Sequence, residues 1–179
     1  MTDLPLVIRR FKPDDLDAML RFARALPEHD LLFLSRDLKH RRVIEAWQQA
    51  VEDGFIDSFL AEDGDAIVGT SALVRDPLGW STHVGEIRLL VSPELRGQGV
   101  GRRLLEETIR VADQRELTKL VARMTPDQQH AIRLFEEHGF REEARLRGHV
   151  MDRQGRLHDL TILSAEAVPG GAGAVPAAA

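Results

Sequence analysis

The segment from Val84 to Val111 limits what this chain can fold into more than any other stretch. It reads Val84-Gly85-Glu86-Ile87-Arg88-Leu89-Leu90-Val91, then Ser92-Pro93-Glu94-Leu95, then Arg96-Gly97-Gln98-Gly99-Val100-Gly101-Arg102-Arg103, then an amphipathic run. Ile87, Leu89 and Val91 alternate as the residues of a strand do. Ser92-Pro93 stops that strand, because proline cannot extend a ladder. Val100, Leu104, Leu105, Thr108, Ile109 and Ala112 recur at helical spacing. The glycines therefore fall at a helix start, where unpaired N–H groups and the macrodipole attract anions. Glycine also lets that backbone approach a ligand closely and take positive φ. Strand, glycine loop and helix together suit a phosphate-bearing ligand.

Elimination narrows the ligand. A dinucleotide fingerprint needs Gly-x-Gly-x-x-Gly/Ala. Counting from Gly97, the last position is Arg102; counting from Gly99, it is Leu104; both fail. A nucleotide P-loop ends in Gly-Lys-Ser/Thr, which this loop lacks. Arg/Gln-x-x-Gly-x-Gly/Ala remains, matched by Arg96, Gly99 and Gly101. With its flanking strand and helix, the segment resembles the acetyl-CoA-binding segment of the GNAT family of N-acetyltransferases. The resemblance implies that Arg96 and the loop from Gly97 through Gln98, Gly99, Val100 and Gly101 to Arg102 cradle the CoA pyrophosphate. It also implies that backbone groups of Leu89, Leu90 and Val91 hold the pantetheine amide and the thioester carbonyl.

The rest of the chain reads in a consistent order. Leu6 to Phe11 is a strand, and Lys12-Pro13-Asp14-Asp15 opens a helix that ends at Leu26-Pro27. Glu28 to Arg36 is irregular, with His29 and Asp30 available to line a polar site and Leu32 and Leu34 suited to core packing. A helix spans His40 to Glu52, with Val43, Ile44, Trp47 and Val51 on one face. Phe55 to Ala61 and Ala66 to Val74 form a hairpin about Glu62-Asp63-Gly64-Asp65. Leu117 to Met124 is a strand. Asp127 to His138 is a helix stopped by Gly139, with Ala131, Leu134 and Phe135 inward. Phe140 begins an extended segment, Asp152 to Gly155 turns it, and Leu157 to Leu163 is the last strand. The GNAT order of elements covers roughly residues 6 to 164. Ala131-Ile132-Arg133-Leu134-Phe135-Glu136-Glu137-His138-Gly139-Phe140 is similar to the family's late helix and following strand. The expected fold is α/β (α+β), a central mixed, mostly antiparallel sheet flanked by helices. One domain is expected over residues 1–166, with a poorly ordered small-residue tail at 167–179.

Two positions depart from the family pattern. Gln128 stands where the family often has an asparagine that contacts the cofactor. Phe135 stands where it often has a tyrosine that protonates the leaving sulfur, and this chain has no tyrosine. Phe135 is therefore expected as an apolar wall beside that sulfur, with a plain core phenylalanine that makes no cofactor contact as the competing reading. A thiol has a pKa of about 8.5, so its thiolate leaves without an acid, and general acid catalysis contributes only about 10²–10⁴-fold. The acceptor is harder, because an alkyl amine has a pKa of about 10.4 and is mostly protonated. Glu86 on the central strand is the candidate to take that proton, directly or through water, with His83 as runner-up. For Glu86, a plain strand carboxylate paired with Arg88 or Arg147 is the competing reading.

Composition sets the outer limits. Hydrophobic residues are 43% and charged residues 30% of the 179, as in an ordinary soluble domain. The chain has no cysteine, which rules out disulfides, a cysteine nucleophile and thiolate metal sites. The histidines show no metal-binding spacing, and no metal is expected. No apolar run reaches membrane-spanning length, and no secretory signal is evident. A net charge of −5 without a basic stripe argues against nucleic acid. The expectation is a cytoplasmic enzyme that moves acetyl from acetyl-CoA to a primary amine in a ternary complex, the amine belonging to a small molecule, peptide or protein. The resemblance also allows a homodimer. The alternative is a catalytically weak or inactive CoA-binding sensor, suggested by the missing tyrosine.

Overall fold

The computed structural model describes residues 6–167. Of the expected tail at 167–179, all but Ala167 lies outside these residues. The chain forms a seven-stranded sheet in the order β1-β2-β3-β4-β5-β7-β6. Its strands are β1 (Leu6–Arg10), β2 (Ile56–Asp63), β3 (Ala66–Val74), β4 (Val84–Val91), β5 (Lys119–Met124), β6 (Arg141–Met151) and β7 (Leu157–Glu166). The helices are α1 (Leu16–Ala25), α2 (Arg41–Glu52), α3 (Val100–Gln114) and α4 (Gln129–Glu137). All neighbouring strands are antiparallel except β4 and β5, which run parallel. The mixed, mostly antiparallel sheet is the expected one.

Several boundaries move. Lys12 to Asp15 does not begin the helix directly, because Pro13–Asp15 forms a 3-10 turn first. The Asp15 carboxylate folds back to accept the Lys12 N–H at 2.7 Å and both terminal nitrogens of Arg9 at 2.7 Å. Glu28–Leu31 is a 3-10 turn within the segment read as irregular. The helix expected at 127–138 is α4, shorter at both ends, with Gln128 as its N-cap. The last strand runs to Glu166, three residues beyond expectation, since β5 pairs with β7 as far as Lys119↔Glu166.

The sheet separates two apolar cores. On one face α3 and α4 bury Ile87, Val100, Leu104, Leu105, Leu120, Met124, Phe135 and Phe140. On the other face α1 and α2 bury Met19, Leu20, Ile44, Trp47, Leu60 and Leu90. This division follows strand alternation: on β4, Ile87, Leu89 and Val91 look toward α3, and Glu86, Arg88 and Leu90 toward α1 and α2. Among the described residues no helix is long and apolar enough to cross a membrane, and no group of three or more His, Asp or Glu is placed to hold a metal ion.

Candidate active site

The site begins where the parallel pair comes apart. β4 and β5 are paired only from Val84↔Lys119 to Ile87↔Ala122. β4 then continues to Val91 on β3 alone, and β5 to Met124 on β7 alone. Beyond Ile87 the two strands therefore enclose a gap. The Ser92 N–H donates to the Val68 carbonyl on the β3 side. By alternation the peptide groups of Leu90 also turn to β3, while those of Leu89 and Val91 face the gap. The main chains of Leu89 and Val91 are thus exposed toward β5, and Leu90 lends its side chain to the α1–α2 core.

Glu86 stands at the root of this gap on the α1–α2 face. Its Oε1 accepts from Arg88 Nε at 2.8 Å, and its Oε2 lies 3.7 Å from Arg123 Nη2 of β5. Its side chain is 16% exposed, so it is enclosed but reachable. Arg88 is the partner expected for a structural pair; Arg147 is not at this carboxylate. His83 lies elsewhere. It precedes β4, is exposed, and its carbonyl takes the N–H groups of Thr118 and Lys119 at 3.0 and 3.2 Å. Four paired residues separate it from the divergence, about 13 Å of strand at ~3.3 Å per residue. The structure does not bring His83 to the gap.

The glycine loop caps the open end. Gly97 and Gly99 take φ of +74° and +86°, conformations that favour glycine. The first bond of α3 runs from Arg103 N–H to Gly99 O at 3.0 Å. The N–H groups of Val100, Gly101 and Arg102 are therefore left at the helix mouth. Val100 anchors the loop at 1% exposure. A Cβ on Gly101 would lie 3.3 Å from Leu134, 3.6 Å from Val91 and 3.7 Å from Leu89. The loop, β4 and α4 thus meet around a position that suits glycine. Gln98 Nε2 donates to the Glu94 carbonyl at 3.0 Å, and Arg102 reaches across to Glu137 of α4. Arg96 Nε and Nη2 donate to the Val91 carbonyl at 3.2 and 3.1 Å.

The 3-10 turn Glu28–Leu31 bridges the two sides of the gap. His29 Nε2 lies 2.7 Å from Asp127 Oδ2 and 3.3 Å from Thr125 Oγ1, just past β5. Asp30 accepts from Arg96, just past β4. The β6–β7 turn joins the same cluster. Arg153 N–H donates to Glu28 Oε1 at 2.8 Å, and the His158 ring meets that of His29 at 5.2 Å between centroids. His158 also lies 2.9 Å from Asp152, whose carboxyl is held well below the usual range by that bond and, against desolvation, by Arg156. Desolvation opposes the Asp127 carboxylate too, but the Thr125 hydroxyl and His29 outweigh it and hold its pKa down. His29 and Asp30 do line a polar site. Their partners lie 98 and 66 residues away, so no spacing in the sequence announces these contacts.

Two further candidates have local employment. Gln128 Oε1 accepts the Thr125 N–H at 3.2 Å. Phe135 is 2% exposed and meets Phe140 edge-on, with centroids 5.0 Å apart and planes at 88°.

A mixed sheet with one parallel pair that opens over a glycine-loop helix start defines an acyl-CoA N-acyltransferase architecture. The chain belongs to the GNAT acetyltransferase family, whose model matches residues 20–140. It is 33% identical over 81 residues, 45% of the chain, to the Bacillus subtilis protein YwnH, whose name links it to phosphinothricin acetylation. It is 33% identical over 150 residues, 75% of the chain, to the mycothiol acetyltransferase of Acidothermus cellulolyticus. The chain spans about half the length of these curated relatives, 49% and 44%. Among solved structures, YncA of Salmonella typhimurium with acetyl-CoA superposes with a TM-score of 0.76, covering 93% of this chain and 98% of that one. At 21% identity that likeness speaks for the fold.

Proposed function

We propose that this chain transfers an acetyl group from acetyl-CoA to a primary amine by direct attack in a ternary complex. The opening of β4 from β5 beyond Ile87, beneath a helix mouth with uncommitted amides, carries the reading. The residues fit the co-substrate. The loop backbone at Gly97 and Gly99 has nothing within 4 Å of an added Cβ, so a phosphate can approach. Arg96 and the amides of Val100, Gly101 and Arg102 suit a pyrophosphate. The Leu89 and Val91 main chains offer strand-like hydrogen bonds to a pantetheine arm.

Acetyl-CoA supplies the acyl carbon as an activated thioester. Glu86 accepts the ammonium proton, directly or through one water, and frees the amine lone pair for attack. A gap-facing N–H of Leu89 or Val91 stabilises charge developing on the acyl oxygen. The C–N bond forms as the C–S bond breaks, and the thiolate takes its proton from water, since the chain has no tyrosine to supply one. Holding both partners in the gap supplies proximity.

The test pairs acetyl-CoA titration calorimetry with a thiol-release screen over amines and amine-bearing peptides. Binding together with amine-dependent thiol release supports the reading. Binding without release by any amine favours a CoA-binding sensor, the reading that the missing tyrosine supports. Failure to bind acetyl-CoA or CoA sinks both.

A further inference from the structure

On the α1–α2 face of the sheet, beside the root of the gap, lies a pocket of about 240 Å³. Its walls are mostly apolar, with Leu34, Val43, Trp47 and Ile56 among them, but two guanidiniums, Arg36 and Arg88, also line it. The volume is below the about 300–1,000 Å³ typical of drug-sized ligands, so the pocket suits a small metabolite. Arg88 spends only its Nε on Glu86. Among the described residues its two terminal nitrogens have no hydrogen-bond partner, although its side chain is only 18% exposed. Arg36 is exposed and has no ion-pair or hydrogen-bond partner among the described residues. A guanidinium that lines an apolar pocket with its terminal donors open suits a carboxylate.

We infer that the acceptor is a primary amine bearing a carboxylate close to its nitrogen, an α-amino acid or near analogue with an apolar side chain. This rests on the acyl-transfer reading above. Arg88 and Arg36 take the carboxylate, and the Leu34, Val43, Trp47 and Ile56 walls take the apolar side chain. Glu86 and Arg88 lie two residues apart on the same strand face, about 7 Å between Cα atoms. An acceptor whose carboxylate rests on Arg88 therefore presents its amine to Glu86 when only one or two carbons separate the two groups. A polyamine fits poorly, because its remote ammonium would meet two guanidiniums.

The experiment measures thiol release at saturating acetyl-CoA with matched pairs. L-leucine, L-methionine and L-phenylalanine are each compared with their carboxamides and decarboxylated amines, and with spermidine. At least one amino acid is expected to exceed its carboxylate-free partners in kcat/KM by 100-fold or more, mainly through KM. Arg88→Gln and Arg36→Ala are expected to shrink that ratio by 10-fold or more. Equal use of carboxylate-free amines or of spermidine overturns the inference while leaving the acyl-transfer reading intact, as does a ratio that survives in both variants. If no amine releases thiol, the acyl-transfer reading fails and this inference falls with it, whereas release that ignores the carboxylate sinks this inference alone.

Discussion

The carboxylate of Asp30 accepts a hydrogen bond from Arg96 while the same guanidinium donates to the Val91 carbonyl at 3.1 and 3.2 Å. The arginine proposed for the pyrophosphate is thus already engaged, by the turn that spans the gap and by a carbonyl that faces it. Phosphate must compete with Asp30 for this guanidinium. Arg96 is 44% exposed, so the pair contributes no more than about 1 kcal/mol. Asp30→Asn is therefore expected to tighten acetyl-CoA binding by up to about fivefold, measured by calorimetry at low salt. Weaker binding would mean that Asp30 pre-orders the guanidinium instead.

Gly99 separates backbone geometry from steric fill. Its φ is +86°, yet an added Cβ would meet nothing within 4 Å. The folded cost of Gly99→Val then includes the left-handed backbone, about 1–2 kcal/mol, with no clash at Cβ. The same side chain stands where a phosphate must approach the helix mouth. Acetyl-CoA affinity is expected to fall at least tenfold while the melting transition stays cooperative. A folded variant with wild-type affinity would move the pyrophosphate away from this loop.

Glu86 is engaged by Arg88 and lies near Arg123, so a neutral isostere tests charge with little loss of packing. Glu86→Gln is expected to lower kcat by about 10²–10⁴-fold, the usual range for general base catalysis. The acetyl-CoA dissociation constant should hardly change, as for a group that acts in the chemical step. Unaltered kcat at saturating amine across the pH range would point to His29 at the β5 end of the gap, or to deprotonation by the substrate itself.

Asp57 makes the fold sensitive to acid. Its carboxylate is 4% exposed and bonds Arg115 at 2.9 Å and Arg10 at 3.0 Å, with Arg75 at 3.3 Å. Desolvation pushes its pKa up, but the Arg115 and Arg10 bonds outweigh that and hold it below the ordinary value. A depressed carboxyl contributes its full stability above its unfolded pKa of about 3.9. That contribution is lost as pH falls through the folded value. Asp57→Asn is expected to cost about 1–3 kcal/mol near neutral pH, because the neutral amide gives up the charge-assisted bonds to Arg115 and Arg10, both partly exposed, and leaves the enclosed Arg75 without its carboxylate. Melting curves from pH 7 to 3 should show the gap between wild type and variant closing below about pH 4. A constant gap would remove the ion cluster from the acid response.

These tests also mark how far the sequence alone reaches. Alternation at Ile87, Leu89 and Val91 and helical spacing from Val100 to Ala112 are local signals, and β4, the glycine loop and α3 follow them closely. Local reading failed at helix ends, where Asp15 turned back onto Arg9 and where Gln128 became a cap. The site was half legible. The loop announces itself because its function is written in contiguous residues. The Glu86–Arg88 pair is legible because its members are neighbours on one strand face. The partners of His29 and Asp30 and the pocket shared by Arg36, Trp47 and Arg88 depend on which elements the sheet order brings together. A pattern confined to one element carries no trace of them.

Phe135 shows how a family position changes meaning with its side chain. The resemblance suggested a ring beside the leaving sulfur. The structure gives that ring 2% exposure and an edge contact to Phe140, which is itself 0% exposed. Edge-to-face pairs of this kind contribute about 0.5–1.5 kcal/mol beyond area burial. Phe135→Tyr adds a hydroxyl at the far end of the ring, and its consequence depends on what that end meets. In the apolar core the hydroxyl finds no partner and costs about 1–3 kcal/mol. At the mouth of the β4–β5 gap it would instead reach the sulfur and act as a general acid. The burial and the Phe140 contact favour the first, so a lower melting temperature with unchanged kcat per folded molecule is expected. Unchanged stability with a raised kcat would put the end of the ring at the thioester, and Phe135 would then be the apolar wall that the resemblance suggested.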